Sequence, residues 1–185
     1  MARLGQINRV KHAFDSTTLT IIVNALVFSK LYYCCNVWSN TSEYNLSRVQ
    51  AVQTFAARIV SNSCKYDHIS LILKDLKWLP VTQQLYYRHA IIAFKCMSGC
   101  APPSLFSKYI KRATITRRTT RNFHMLNIPL FKTATGQRTF HFRTVKLWNS
   151  LDLTLKLKPT LQDFKRCLRR SLPSNFFPLC FYFIN

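Results

Sequence analysis

The chain sets 27 lysines and arginines against six carboxylates, and this imbalance limits what can fold from it more than any motif does. A net charge of +21 costs a compact state through self-repulsion. Yet apolar residues make up 48% of the chain and aromatics 14%, which is too rich for a disordered basic tail. The sequence therefore reads as a folded basic module, and 185 residues suit one domain or two small ones. The excess is concentrated: residues 108–146 hold ten basic residues and no acid. A polyanionic partner is the simplest relief for such a field, with nucleic acid as the leading candidate.

The same count speaks against two-metal polymerases and nucleases, which need two or three carboxylates converging on hard cations. Asp15, Glu43, Asp67, Asp75, Asp152 and Asp163 stand singly, no two closer than eight residues. Three glycines, Gly5, Gly99 and Gly136, leave no Gly-rich loop to cradle phosphates. His12, His68, His89, His124 and His141 have no nucleophile with a local signature beside them. The seven cysteines are an odd number and follow no secretory signal, so they read as reduced thiols of an intracellular protein, nuclear or cytoplasmic. Cys64, His68, Cys96 and Cys100 form a C-x3-H and C-x3-C pair that zinc could accept chemically. The spacing is looser than in zinc ribbons and Cys96 falls within an apolar helical series, so no metal or cofactor is expected.

Residues 19–38 have the length of a membrane span, but Asn24, Ser29, Lys30 and Asn36 interrupt them, so a buried helix is expected rather than transmembrane insertion. Asp15 or Ser16 caps that helix, which runs to about Trp38. A second helix starts near Thr41 or Ser42, with Leu46, Val49, Val52, Phe55, Ala56, Ile59 and Val60 on one apolar face. Residues 70–76 form a short helix closed by Trp78-Leu79-Pro80, and helix resumes from Val81 to Gly99, then from the Ala101-Pro102-Pro103 turn to Arg112. Beyond this, 114–122 read as an exposed basic linker and 125–131 as an edge strand limited by Pro129. Thr135-Gly136 makes a turn, and amphipathic helices span 138–151 and 160–172. The expected fold is mainly α: a helical bundle with a small β-hairpin or irregular strand segment near residues 125–135. Residues 1–112 make a helical region, 113–172 a basic linker, short strand and two helices, and 173–185 a hydrophobic tail.

A succession of short blocks runs through the chain: Ile7-Asn8-Arg9-Val10-Lys11-His12, Leu26-Val27-Phe28-Ser29-Lys30-Leu31, Val37-Trp38-Ser39-Asn40, Val52-Gln53-Thr54-Phe55-Ala56-Ala57-Arg58-Ile59-Val60 and Tyr66-Asp67-His68-Ile69. Leu76-Lys77-Trp78-Leu79-Pro80, Phe94-Lys95-Cys96-Met97, Ala101-Pro102-Pro103, Thr135-Gly136-Gln137-Arg138-Thr139-Phe140 and Lys146-Leu147-Trp148-Asn149-Ser150-Leu151 follow in order. Over about residues 3–172 this resembles the C-terminal, thumb and post-polymerase part of the reverse transcriptase polyprotein of animal non-LTR retrotransposons. The resemblance implies an enzyme fragment without its engine. The family's palm carries an aromatic-Ala-Asp-Asp turn, and this chain has no Asp-Asp pair. No catalytic residue carries over.

These readings converge on a non-catalytic module that holds RNA or an RNA/DNA hybrid by its phosphates. The candidate contacts are Arg117, Arg118, Arg121, Arg138, Arg143, Lys146, Arg169 and Arg170. A solvated face is the plainer account of such residues, but solvated faces usually mix both signs. Trp148, in step with Phe140, Thr144 and Leu151, reads as core rather than as a base-stacking platform. The alternatives are a fragment that works only with a polymerase palm supplied separately, a protein or anionic-membrane interaction domain, and a decayed product without function.

Overall fold

Asp15 shows why helix starts where it does. Its carboxylate accepts the amides of Thr17 and Thr18 at 3.0 and 3.2 Å, groups that have no partner inside the first helical turn. The computed structural model describes residues 1–116 and 124–172. In chain order its helices are α1 (Ala2–Val10), α2 (Ser16–Val23), α3 (Ser29–Leu31), α4 (Cys35–Trp38), α5 (Glu43–Ser61), α6 (Ile69–Asp75), α7 (Val81–Met97), α8 (Pro103–Phe106), α9 (Arg112–Thr116), α10 (Ala134–Gln137), α11 (Phe140–Ser150), α12 (Leu153–Lys156) and α13 (Leu161–Ser171). The mainly helical class is as expected, and no strand forms among the described residues. No described helix is long and apolar enough to cross a membrane. The chain divides into two compact units, Met1–Gln84 and Leu85 onward, whereas composition alone puts the change of character after residue 112.

In the first unit the single helix expected from Ser16 to Trp38 is broken. A π turn spans Asn24–Phe28, and Cys34 takes the left-handed conformation at φ 46°. The buried residues explain the π turn: they are Leu19, Val23, Phe28, Tyr32 and Cys35. Strict four-residue spacing after Val23 would bring Val27 inward; one extra residue in the turn brings Phe28 instead. Phe28 then meets the Trp78 ring edge-on at 4.9 Å.

The long helix α5 is the spine of this unit, with α1, α2 and α6 packed on it. Its buried residues are Leu46, Gln53, Ala56, Ala57, Ile59 and Val60. Buried Gln53 fastens the Trp78-Leu79-Pro80 turn by donating Nε2–H to the Leu79 carbonyl at 2.8 Å. Gln50 accepts the Val81 amide at 2.9 Å and donates to Gln53 Oε1 at 3.0 Å. Pro80 has no amide to offer, so Gln50 satisfies the first free donor of α7.

In the second unit α7 buries Leu85, Tyr86, His89, Ala90, Ala93, Phe94 and Cys96. Phe94 stacks on Phe164 of α13 at 4.4 Å and lies 6.5 Å from Trp148 of α11. Thr139 and Thr160 cap α11 and α13 through their hydroxyls, close to the starts expected from sequence.

The expected hairpin near 125–135 is corrected. Only an isolated antiparallel bridge joins Lys111 and Leu126 there, with Arg112 N–H to Met125 O and Asn127 N–H to Ile110 O, both at 2.9 Å. The other edge is occupied by a side chain. Asn149 accepts the Leu126 amide at 2.8 Å and donates to the Leu126 carbonyl at 3.0 Å, so its carboxamide replaces a partner strand. Pro129, which has no amide, prevents the ladder from extending. Because Leu126 is buried, Asn149→Ala strands two main-chain groups, each at about 1–3 kcal/mol. The expected result is a clearly lower urea midpoint at unchanged slope.

Candidate nucleic-acid interface

The charge divides unequally between the units. Met1–Gln84 has nine basic residues and four acids; from Leu85 onward there are 18 basic residues and two acids, Asp152 and Asp163. Two carboxylates cannot neutralise eighteen cations, so the second unit carries most of the unbalanced field.

Helix α13 shows how the fold presents part of it. Phe164 and Leu168 are fully buried, which fixes the rotation of the helix about its axis. Arg166, Arg169 and Arg170 consequently fall on the exposed side, at spacings of three and four that make them neighbours. Arg166 pairs with Asp163 at 3.6 Å across an exposed i,i+3 contact, a pair worth about 1 kcal/mol or less. Arg169 and Arg170 in the last turn also gain from the helix dipole, by about 0.3–1 kcal/mol each. That gain accounts for the two arginines at the helix end. It does not account for Arg166 or for the excess of the whole unit.

The other sequence-derived candidates separate. Arg138, at the end of α10, and Lys146, on α11, are exposed; the Lys146 ammonium lies 4.8 Å from the centre of the Phe142 ring. Arg143 is placed differently: it is 8% exposed and donates from Nε to the Arg138 carbonyl at 3.2 Å. Its position on α11, between Phe142 and Thr144, turns it toward the interior. Arg117, Arg118 and Arg121 lie outside the described residues. Arg166 joins the α13 face although it was not among the sequence candidates, and its spacing to Arg169 and Arg170 is the signal that identifies it.

Arg143 belongs to a buried polar cluster. The Thr144 hydroxyl donates to the Phe140 carbonyl at 2.8 Å, and the His89 ring nitrogen Nε2 lies 2.8 Å from the same hydroxyl. A hydroxyl has one proton to give, so His89 donates from Nε2 and holds its proton there. Burial, with the nearby Arg143 charge, lowers the His89 pKa to about 3. Burial pushes the Tyr109 hydroxyl up to about 12. His89 is 2% exposed and Thr144 0%, which closes the cluster to a substrate; it is a packing device.

This cluster sets a pH dependence. Between the ordinary histidine value of 6.5 and about 3 the unfolded chain binds a proton that folded His89 refuses. Stability therefore falls as pH drops below about 6.5, by up to about 1.4 kcal/mol per pH unit for this group. His141, also lowered by burial, adds in the same direction. Asp15 and Asp152, held below 3.8 by threonine hydrogen bonds, act only at lower pH. Urea unfolding from pH 7 to 4.5 should show the decline, and His89→Gln should make it shallower.

Among the described residues no three or more His, Cys, Asp and Glu side chains converge as a metal site. Cys96 is fully buried with its thiol pKa raised by burial, whereas Cys64 and Cys100 are exposed. Comparison of the chain with family models, with curated proteins and with solved structures finds no match.

Proposed function

We propose that the chain is a non-catalytic module that binds RNA or an RNA/DNA hybrid by phosphate contacts made from its C-terminal unit, as the thumb and tail portion of a non-LTR retrotransposon reverse transcriptase would. The observation that carries the reading is the excess of 18 basic residues over two acids in that unit, with Arg166, Arg169 and Arg170 on one exposed helix face. Like charges at i,i+3 and i,i+4 repel by about 0.2–0.5 kcal/mol per pair, and a polyanion reverses the sign of that cost. Base readout is not required for such binding, since phosphate contacts position without specifying sequence. The ordered blocks quoted above are what supports the retrotransposon part of this reading.

The test is a competition between oligonucleotides and vesicles rich in anionic lipid. Oligonucleotides should displace the chain from vesicles at moderate salt, with no preference among unrelated sequences and no primer extension in Mg²⁺ or Mn²⁺. Preferential retention on the vesicles would assign the charge to a membrane surface instead.

A further inference from the structure

Helix α5 ends in a loop that displays one aromatic ring. Asn62 turns the chain through the left-handed region at φ 51°, and Ser63 N–H returns to the Arg58 carbonyl at 3.2 Å. The Arg58 guanidinium then reaches under the loop to the carbonyls of Lys65 and Asp67, the latter at 3.1 Å. Asp67, the only acid in the loop, accepts the Cys64 amide at 2.7 Å, and its own amide donates to the Cys64 carbonyl at 3.3 Å. The loop backbone is thus tied by the Arg58 guanidinium and by the reciprocal bonds between Cys64 and Asp67. At its tip Tyr66 is 91% exposed, beside exposed Lys65.

A tyrosine ring has about 150–250 Å² to bury when covered. Here a guanidinium and a carboxylate are committed to fixing the backbone that carries it, so the ordering cost of a stacking contact is met in advance. We infer that Tyr66 is a stacking platform for an unpaired base of single-stranded nucleic acid. The occupant follows from charge and geometry: a chain at +21 draws polyanions, Lys65 offers a cation next to the ring, and only an unpaired base has a free face. Duplex bases have both faces covered by their neighbours. The inference rests on the nucleic-acid reading above but uses the other unit.

The experiment compares the full chain with Tyr66→Ala and Tyr66→Phe on an oligothymidylate and on a duplex of the same length. Tyr66→Ala should weaken single-strand binding about 5- to 150-fold, the range for one stacked base, while Tyr66→Phe stays within about twofold. Duplex affinity, the salt dependence and the urea midpoint should all be unchanged. Parental single-strand affinity in Tyr66→Ala, while replacement of the α13 arginines weakens binding, sinks the stacking site and leaves the phosphate surface standing. Failure of the parent chain to bind any oligonucleotide overturns both. Equal losses in Ala and Phe variants would point to a hydroxyl contact, and a dimer dissolved by Tyr66→Ala would make the ring a contact between copies; either result also overturns it.

Discussion

Trp148→Ala should be among the most damaging single substitutions, costing about 3–5 kcal/mol, the range for truncating a large buried aromatic. Trp148 is 5% exposed and lies 6.5 Å from Phe94, which stacks on fully buried Phe164. Removing the indole leaves a cavity where α7, α11 and α13 pack their aromatics. Against a typical stability of about 5–15 kcal/mol, the loss is about a fifth of the total at the least and nearly all of it at the most. Urea unfolding followed by circular dichroism should show a much lower midpoint at unchanged slope, and nucleic-acid binding should be lost only where folding is lost. A normal midpoint with weakened single-strand binding would make Trp148 a stacking residue and contradict its place in the core.

Replacing Arg166, Arg169 and Arg170 together by glutamine should have the opposite signature. Each arginine that touches a phosphate releases counterions, worth about 0.9 units of slope in log affinity against log salt on duplex and about 0.7 on single strands. The triple variant should therefore be about two to three units flatter than the parent, with binding weakened alike on all sequences. Its stability should fall by no more than about 2 kcal/mol, because the lost ion pair and helix-dipole terms are partly offset by relief of the repulsion among the three cations. Arg143→Gln provides the contrast. Because Arg143 is buried beside His89 and Thr144, its replacement should alter stability and leave the salt slope where it was.

The longer helices are legible because their signals are local, whereas α9 and α10 form where the sequence reads as linker and turn. Asp15 and Thr160 announce two helix starts, and the apolar spacing from Leu46 to Val60 announces the long helix α5. The strand expected at 125–131 does not form: alternation says nothing about what lies alongside. The partner of Leu126 is the Asn149 side chain, 23 residues away in sequence, and no periodicity encodes that. The break after Val23 is likewise a demand of packing, since Phe28 rather than Val27 fills the core. At the candidate interface, composition located the excess of charge but not its direction. Arg143 and Lys146 are three residues apart on α11, yet the first is buried and the second exposed, because Phe142, Val145 and Trp148 decide which side of the helix faces inward.

The salt dependence of oligonucleotide affinity for the full chain tests the central claim most directly. If the C-terminal unit is a phosphate-binding surface, log affinity should fall linearly with log salt, with a slope of several units that is shared by unrelated sequences and reduced by about two to three in the triple arginine variant. A slope near zero, or equal slopes for the parent and the triple variant, would contradict it.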